Sequence, residues 1–110
     1  MKVRYQTGDG RLNVELEGES QRELFEQLSR FQEVFEEAGC GKCHSTDVRY
    51  VVRNVDDNLY YEKRCHNCGS RLSFGSHKKG GGLFPKRKEG ENWLPDAGWV
   101  KWNPKTEQNE

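Results

Sequence analysis

The sequence is short of the residues that build a large hydrophobic core. It contains no isoleucine, and leucine, valine and phenylalanine number 8, 8 and 5 among its 110 residues. A hydrophobic content of 32% approaches the range typical of disordered chains. Balanced charge, three tryptophans, four tyrosines and four cysteines argue against disorder. We therefore expect a modest core reinforced by an additional cross-link.

Long apolar runs are absent as well. No window approaches the roughly 18 apolar residues of a membrane span, and the first residues lack the apolar stretch of a secretion signal. At this length one compact domain is expected, and separate cofactor and substrate lobes are excluded. We expect a cytoplasmic protein with no membrane partner. Reduced thiols in that compartment favour metal or redox chemistry over disulfides.

The formal net charge of zero conceals an uneven distribution. Residues 1–38 carry 5 basic and 9 acidic side chains, residues 39–88 carry 11 and 4, and residues 89–110 carry 2 and 5. The segment sums are therefore −4, +7 and −3. A basic band between acidic ends suits an anionic partner, although solvated surface charge is the alternative interpretation.

The first 38 residues predict a β-hairpin followed by a helix. Alternating apolar residues flank Gly8-Asp9-Gly10, as expected of a hairpin. Ser20 and Glu23 form a capping-box pattern, and a helix is predicted from Gln21 to Ala38. Its apolar stripe comprises Leu24, Leu28, Phe31, Phe35 and Ala38, widened by Phe25 and Val34. The stripe favours packing on the domain's own hairpin and ribbon over a dimer seam, so a monomer or weak dimer is expected.

The rest of the chain predicts strands and then irregular structure. Residues 48–55 and 59–64 alternate around an Asp/Asn turn, and residues 71–74 form a possible third strand. The stretch from His77 to Lys88 has loop composition because of its glycines. We expect an irregular tail anchored by Trp93, Trp99 and Trp102, fraying after about Asn103.

Two C-x-x-C pairs carry the strongest signal in the sequence. Cys40 and Cys43 are separated by 21 residues from Cys65 and Cys68. Each pair can form a knuckle, and the hairpin between the pairs returns the second knuckle beside the first. Four thiolates at about 2.3 Å form a closed tetrahedral Zn²⁺ site. We therefore predict one structural zinc ion per chain, ligated by these four cysteines.

Around these cysteines the sequence resembles the zinc-ribbon superfamily, in which two knuckles alternate with three strands. The resemblance covers residues 40–74 and includes the Cys68-Gly69 form of the second knuckle. His44 departs from the pattern, because glycine is common at its position. The overall layout, with "FQEVFEE", "LFPKRK" and a Trp-rich tail, is also similar in style to small uncharacterised zinc-ribbon proteins of tailed bacteriophages.

The resemblance and the patterns together predict an α+β fold. An N-terminal β-hairpin and one amphipathic helix (residues 1–38) pack on a Cys₄ zinc ribbon (39–75). A basic Gly-rich loop and an irregular aromatic tail (76–110) follow, all within one compact domain.

Other uses of the cysteines are possible. Cys40-Gly41-Lys42-Cys43-His44 matches the C-x-x-C-H haem-attachment signature, but haem would leave the second pair unexplained. A thioredoxin-like pair opens a helix, whereas this pair follows one. His44 and His66 each adjoin a cysteine and could replace it as a ligand.

Cations beside aromatic residues point to nucleic acid, because cations follow phosphates and aromatic rings stack on unpaired bases. The sequence predicts a non-catalytic protein that binds single-stranded or distorted nucleic acid without sequence specificity. The predicted nucleic-acid-binding residues are Arg49, Arg53, Lys63, Arg64, Arg71, Lys78, Lys79, Lys86, Arg87, Lys88 and Tyr60. The alternative is a phage-type adaptor or inhibitor that binds a host protein or a small anionic ligand.

Enzymatic activity is the least favoured class. The chain lacks a nucleophile elbow, a Walker-type loop and an H-E-x-x-H motif. Asp56 and Asp57 could be read as a Mg²⁺ pair, but their position between two strands favours a turn.

Overall fold

A computed structural model describes residues 1–109 of the chain and confirms the mixed α+β class. The chain divides into two compact units, Met1–Ala38 and Gly39–Glu110. The predicted packing of the first unit on the ribbon stays a prediction. Among the described residues, no helix is long and apolar enough to cross a membrane.

The first unit contains the predicted hairpin and helix. Its elements are β1 (Lys2–Gln6), β2 (Asn13–Glu17) and α1 (Gln21–Phe35). The Tyr5 ring meets Phe31 edge-on at 5.9 Å between centroids, and the Tyr5 hydroxyl donates to Glu36 at 2.7 Å. The other Glu36 oxygen accepts from the Gly8 N–H at 2.8 Å. The helix therefore packs on its own hairpin, as predicted.

The helix begins where the capping pattern predicts and ends three residues early. The Glu23 N–H donates to the Ser20 hydroxyl at 3.1 Å, and the Glu23 carboxylate accepts from the Glu19 N–H at 2.9 Å. Phe35 is the last helical residue, and Glu36 caps the helix, with its N–H donating to the Gln32 carbonyl and its side chain bonded to the hairpin. Phe25 does not widen the buried stripe, since 75% of it is exposed.

The second unit is built on a four-stranded antiparallel sheet. Its strands, in the order β3-β4-β5-β6 across the sheet, are β3 (Val48–Val55), β4 (Asn58–Cys65), β5 (Arg71–Ser76) and β6 (Leu83–Pro85). Asp56 and Asp57 connect β3 to β4 with φ angles of 51° and 66°. This is the left-handed geometry that a two-residue hairpin turn requires, and it supports the turn interpretation of the two aspartates.

The fourth strand differs from the prediction of a loop over residues 77–88. The glycines are confined to the turn that precedes it: Gly80 and Gly81 have φ angles of 83° and 70°, and His77 N–H donates to the Gly82 carbonyl at 2.8 Å. Leu83–Pro85, which follow this turn, adopt an extended conformation and pair with β5. Pro85 is tolerated because β6 lies at the edge of the sheet.

The C-terminal segment is more regular than predicted. It forms two short hairpins, which comprise β7 (Lys88–Glu89) with β8 (Asn92–Trp93) and β9 (Trp102–Asn103) with β10 (Gln108–Asn109). Strand pairing therefore continues beyond Asn103, where fraying was expected. The three tryptophans also separate: Trp99 is fully buried, whereas Trp93 and Trp102 are 62% and 51% exposed. Only Trp99 anchors the segment in the core.

Trp99 belongs to the small core of the second unit. That core joins the segment after β8 to the sheet and to the cysteine knuckles. Its buried members are Cys40, Val48, Cys65, Leu72 and Trp99. The Arg71 N–H donates to the Val100 carbonyl at 2.8 Å, and the Val100 N–H donates to the Arg71 carbonyl at 2.9 Å. The chain thus returns to the sheet immediately after Trp99.

Candidate metal centre

The two C-x-x-C pairs form turns of the same construction. In the first, Cys40 N–H donates to the Ser45 carbonyl at 2.9 Å and His44 N–H donates to the Cys40 carbonyl at 3.0 Å. In the second, the bond between Cys65 N–H and the Ser70 carbonyl and the bond between Gly69 N–H and the Cys65 carbonyl are both 2.9 Å. The two knuckles are therefore equivalent residue by residue.

This equivalence resolves the position of His44. His44 has a φ of 63°, and its counterpart Gly69 has a φ of 81°. Both residues occupy the left-handed region, which costs a non-glycine residue roughly 1–2 kcal/mol. His44 thus adopts the backbone conformation of the glycine common at this position, at an energetic cost. Histidine in place of glycine therefore adds backbone strain at residue 44 but leaves the geometry of the knuckle unchanged.

The four sulfur atoms lie close enough to share one metal ion. All four Sγ atoms lie within 4.8 Å of one another. Cys40 Sγ and Cys68 Sγ are 3.7 Å apart, and Cys43 Sγ and Cys65 Sγ are 3.5 Å apart. A tetrahedron with Zn–S bonds of about 2.3 Å has edges of about 3.8 Å. No disulfide joins these cysteines. The donor set therefore fits one tetrahedral zinc ion.

Polar groups around the cysteines favour the thiolate form. Burial raises the pKa of the Cys40 thiol, but hydrogen bonds from the Ser70 hydroxyl and from the N–H groups of Cys43 and Lys42 outweigh it, and the pKa is lowered. Burial also raises the pKa of the Cys68 thiol, but hydrogen bonds from the hydroxyl and the N–H of Ser70 outweigh it, and the pKa is lowered. Thiolates are the form in which cysteine binds zinc, so these hydrogen bonds prepare the ligands.

The other two thiols differ from each other. The Asn67 side-chain amide, with its nitrogen 3.5 Å from Cys43 Sγ, and the Ser45 N–H lower the pKa of Cys43. Burial raises the pKa of Cys65 to about 11. Of the four thiols, Cys65 is in the surroundings that stabilise a thiolate least. Its ionisation would therefore depend most on the positive charge of a bound metal.

Ser70 connects the two knuckles from a fully buried position. Its hydroxyl oxygen lies 2.9 Å from Cys40 Sγ and 3.0 Å from Cys68 Sγ. One residue thus contacts one sulfur of each pair. Only its place two residues after Cys68 marked Ser70 in the sequence, and this was too weak a signal to predict its contact with Cys40.

Trp99 closes the first knuckle. A Cβ atom on Gly41 would lie 2.8 Å from Trp99 Cγ and 2.9 Å from the Asp96 carbonyl oxygen, so only glycine fits there. The Lys42 ammonium pairs with Asp96 at 2.9 Å. The segment from Asp96 to Trp99 therefore lies directly on the knuckle. Spacing along the chain could not reveal this contact, since more than 50 residues separate Gly41 from Trp99.

Neither candidate histidine belongs to the cluster. The only group of potential ligands found among the described residues comprises the four cysteines. His44 and His66 are both exposed, and the His66 N–H donates to the Asp47 carbonyl at 2.9 Å. The geometry therefore supports four sulfur ligands over a mixed sulfur–nitrogen set.

The strand register brings most of the predicted nucleic-acid-binding residues of the sheet to one face. Arg49 on β3 is directly opposite Arg64 on β4, which is opposite Arg71 on β5. Arg53 is opposite Tyr60. Because side chains alternate along a strand, these five point to the same side. We call this surface the arginine face, defined by Arg49, Arg53, Arg64, Arg71 and Tyr60.

One buried carboxylate lies within the arginine face. Glu62 is 3% exposed and pairs with Arg64 at 3.1 Å and with Arg53 through its other oxygen. Arg49 pairs with the exposed Asp47 at 3.3 Å. No ion pair of the Arg71 side chain is found in the described part of the chain. The four arginines thus outnumber their acidic neighbours.

The remaining predicted residues lie elsewhere. Lys63 is only 1% exposed and is on the opposite face of the sheet, where its ammonium lies 5.7 Å from the centroid of the Tyr50 ring. Lys78 and Lys79 are exposed in the turn before β6. Lys86 and Lys88 are exposed, whereas the partly buried Arg87 donates to the Ala97 carbonyl at 3.0 Å. Lys63 therefore does not join the exposed basic surface.

Comparison with known proteins found no matching family model, no matching curated protein and no matching solved structure. The clustered cysteines are compatible with a zinc-ribbon-like segment and with a zinc-binding protein.

Metal removal tests the centre directly. We expect the purified chain to contain one zinc ion, and strong chelation to abolish the cooperative unfolding of the second unit. Metal binding in zinc-finger peptides contributes on the order of 10 kcal/mol, comparable to the whole stability of a small domain. Native mass spectrometry and Trp99 emission during thermal unfolding measure the two effects. An unchanged melting curve without metal would contradict the prediction.

Ser70→Ala is expected to lower zinc affinity about 10- to 100-fold, because two sulfurs lose their hydroxyl partner. Competition with a chromogenic chelator measures the affinity. Ser73→Ala, three residues further along the same segment, is the matched control and is expected to bind zinc like the unchanged protein. Equal affinities of the two variants would show that Ser70 does not support the ligands.

The paired left-handed positions are expected to respond in opposite ways. Gly69→Ala should lower the free energy of unfolding by about 1–2 kcal/mol, because alanine is strained at positive φ. His44→Gly removes that strain. Glycine also loses more conformational entropy on folding, which costs about 0.5–1 kcal/mol, so the free energy of unfolding should be unchanged or higher. Chemical denaturation of the zinc-loaded variants tests both. A large loss of stability in His44→Gly would indicate that the imidazole itself has a structural role.

Proposed function

We propose that this chain is a non-catalytic zinc protein that binds single-stranded nucleic acid through its arginine face, without sequence specificity. The observation that carries this proposal is the row Arg49–Arg64–Arg71, in which three like charges lie directly opposite one another across three strands. Such an arrangement is destabilising by itself. An anion that bridges the row would remove the repulsion.

Phosphate groups match the chemistry of this row. Guanidinium groups bind phosphate oxygens in pairs of parallel hydrogen bonds. Neighbouring strands are about 4.8 Å apart, so the row spans roughly 10 Å and offers contacts to more than one phosphate. Glu62 and Asp47 offset only part of the positive charge. A nucleic-acid backbone that crosses the strands along the row is the ligand that these distances favour.

Tyr60 favours a single strand over a duplex. Tyr60 is 46% exposed, and the Arg53 guanidinium lies 5.7 Å from the centroid of its ring. An exposed ring among cations can stack on an unpaired base, whose face is inaccessible within a duplex. The described part of the second unit contains no α-helix that could enter a major groove. Stacking and phosphate contacts read little sequence, so we infer binding of either DNA or RNA with weak base preference.

The metal centre has a structural role in this proposal. Four thiolates complete a tetrahedral zinc site and leave no position for a reacting water, which supports the absence of hydrolytic catalysis. The ion would hold the starts of β3 and β5 and the end of β4 in register, which are the segments that carry the arginine row. We infer that the protein acts in the cytoplasm, where its thiols stay reduced.

A salt titration of two double variants tests the proposal. Arg49→Ala with Arg71→Ala should weaken binding to oligothymidylate and oligouridylate. The slope of log affinity against log salt should fall in magnitude by about 1.4, since each single-strand phosphate contact contributes about 0.7. Arg22→Ala with Arg30→Ala removes the same charge from the exposed surface of α1 and should leave the slope unchanged. Fluorescence anisotropy between about 50 and 200 mM salt measures both.

Equal slopes for the two double variants would assign the salt dependence to overall charge and not to the arginine face. An absence of measurable binding to any single strand at low salt would refute the proposal itself. Arg53 and Arg64 are left unchanged because they neutralise the buried Glu62, and their loss would confound binding with stability.

A second candidate function follows from the first unit. Phe25 is 75% exposed on a helix rich in glutamate, which would suit an adaptor or inhibitor that contacts a host or partner protein, in keeping with the similarity in style to phage proteins. Affinity capture with the wild-type chain and with Phe25→Ala distinguishes this candidate. A protein retained by the wild type and lost with Phe25→Ala would favour it.

A further inference from the structure

Trp93 is exposed in a chain that has few large apolar residues for its core. Trp93 as a whole is 62% exposed, whereas Trp99, six residues later, is fully buried. Trp93 pairs with Lys88 across the β7–β8 hairpin, and the Lys88 ammonium lies over the ring, 4.7 Å from its centroid. The residue is therefore exposed beside a cation that covers one face of its ring.

The structure changes the electrostatic setting of this tryptophan. Along the sequence Trp93 belongs to an acidic segment that contains Glu89 and Glu91. The hairpin folds it back against Lys88, and so brings it next to the basic run that begins at Lys86. The acidic composition of this segment favoured a tail-anchoring role for Trp93 over a role in nucleic-acid binding.

The hairpin is held at a defined place on the sheet edge. The Leu94 N–H donates to the Arg87 carbonyl at 2.9 Å, and the Arg87 guanidinium donates to the Ala97 carbonyl at 3.0 Å. Gly98 packs against the backbone of residues 86 and 87, where a Cβ would lie 3.0 Å from the Arg87 Cα. With Trp99 buried after it, the hairpin is fixed at both ends.

The segment that carries this hairpin leaves and rejoins the sheet beside β5, the strand on which the row of arginines ends. The Lys86 N–H donates to the Ser73 carbonyl at 2.9 Å, so the chain leaves the sheet beside β5. It returns at Val100, which pairs with Arg71, the last arginine of the row. The excursion that carries Trp93 therefore leaves and rejoins the edge of the sheet at which the row ends.

We propose that Trp93 is a stacking residue for an unpaired nucleobase and that Lys88 contacts the adjacent phosphate. The proposal rests on the proposed function and extends it from the arginine face to the sheet edge. An exposed indole stacks on any base and so adds affinity without sequence preference. The exposed cations Lys86 and Lys88 favour a phosphorylated ligand over an apolar protein surface.

Tryptophan emission offers a direct readout. Trp102→Phe leaves Trp93 as the only exposed tryptophan, because Trp99 is buried. In this variant, oligothymidylate should quench the emission of Trp93. Against the same background, Trp93→Ala should weaken oligothymidylate binding about 5- to 150-fold at unchanged salt slope, and Trp93→Phe should recover part of the loss. Lys88→Ala should reduce the slope by about 0.7.

Trp102→Ala is the matched control, since it removes an exposed tryptophan from the other C-terminal hairpin and is expected to leave binding unchanged. Retained Trp99 emission and zinc content establish that each variant is folded. Full affinity in folded Trp93→Ala would overturn the stacking role and leave the arginine face as the binding surface. No binding by the unchanged protein would overturn the proposed function and this inference together.

Discussion

The convergence of four cysteine sulfurs at one end of the sheet is the constraint on which the second unit depends. Two of the five buried residues of its core are the ligand candidates Cys40 and Cys65. Little apolar surface is therefore left to stabilise a four-stranded sheet. The sulfur distances fit a tetrahedral zinc site, and a metal ion there would supply the stabilisation that a core without isoleucine cannot.

The tail completes this centre and also builds a surface. Trp99 fills the space left by Gly41, and the Lys42–Asp96 pair holds the same segment at its margin. Asp96 and Ala97 adopt positive φ angles of 53° and 54°, which lets the chain reverse sharply before it enters the core. The buried end fixes the position of the β7–β8 hairpin. The burial of Trp99 thus fixes the hairpin that carries the exposed Trp93.

Charge in the middle of the chain is less available than its sum of +7 suggests. Lys63 is buried, Arg53 and Arg64 share Glu62, and Arg87 bonds to a backbone carbonyl. What remains exposed is ordered by strand register into a row and a hairpin. The row of arginines runs across the strands, and we infer that a phosphate backbone would follow the same line.

The cysteine spacing, the Ser20 cap and the alternation of β3 were sufficient to predict the α+β class, the helix start and the four clustered thiols. The cap and the alternation are local patterns within one turn or one strand, and the two cysteine pairs need only the hairpin between them to meet. The strand at Leu83–Pro85, the contact of Ser70 with both knuckles and the different fates of the three tryptophans were not predicted. They depend on contacts between residues far apart in the chain, and composition alone had assigned residues 77–88 to a loop.

The sequence by itself thus determined the candidate ligands, the signs of the charges and the faces of each strand, because these follow from residue type and from the period of the backbone. Only the tertiary structure decided which charges stay exposed and which aromatic residue enters the core. Burial is a property of neighbours, and the neighbours of Gly41, Arg71 and Lys88 are set by how the chain returns to the edge of the sheet.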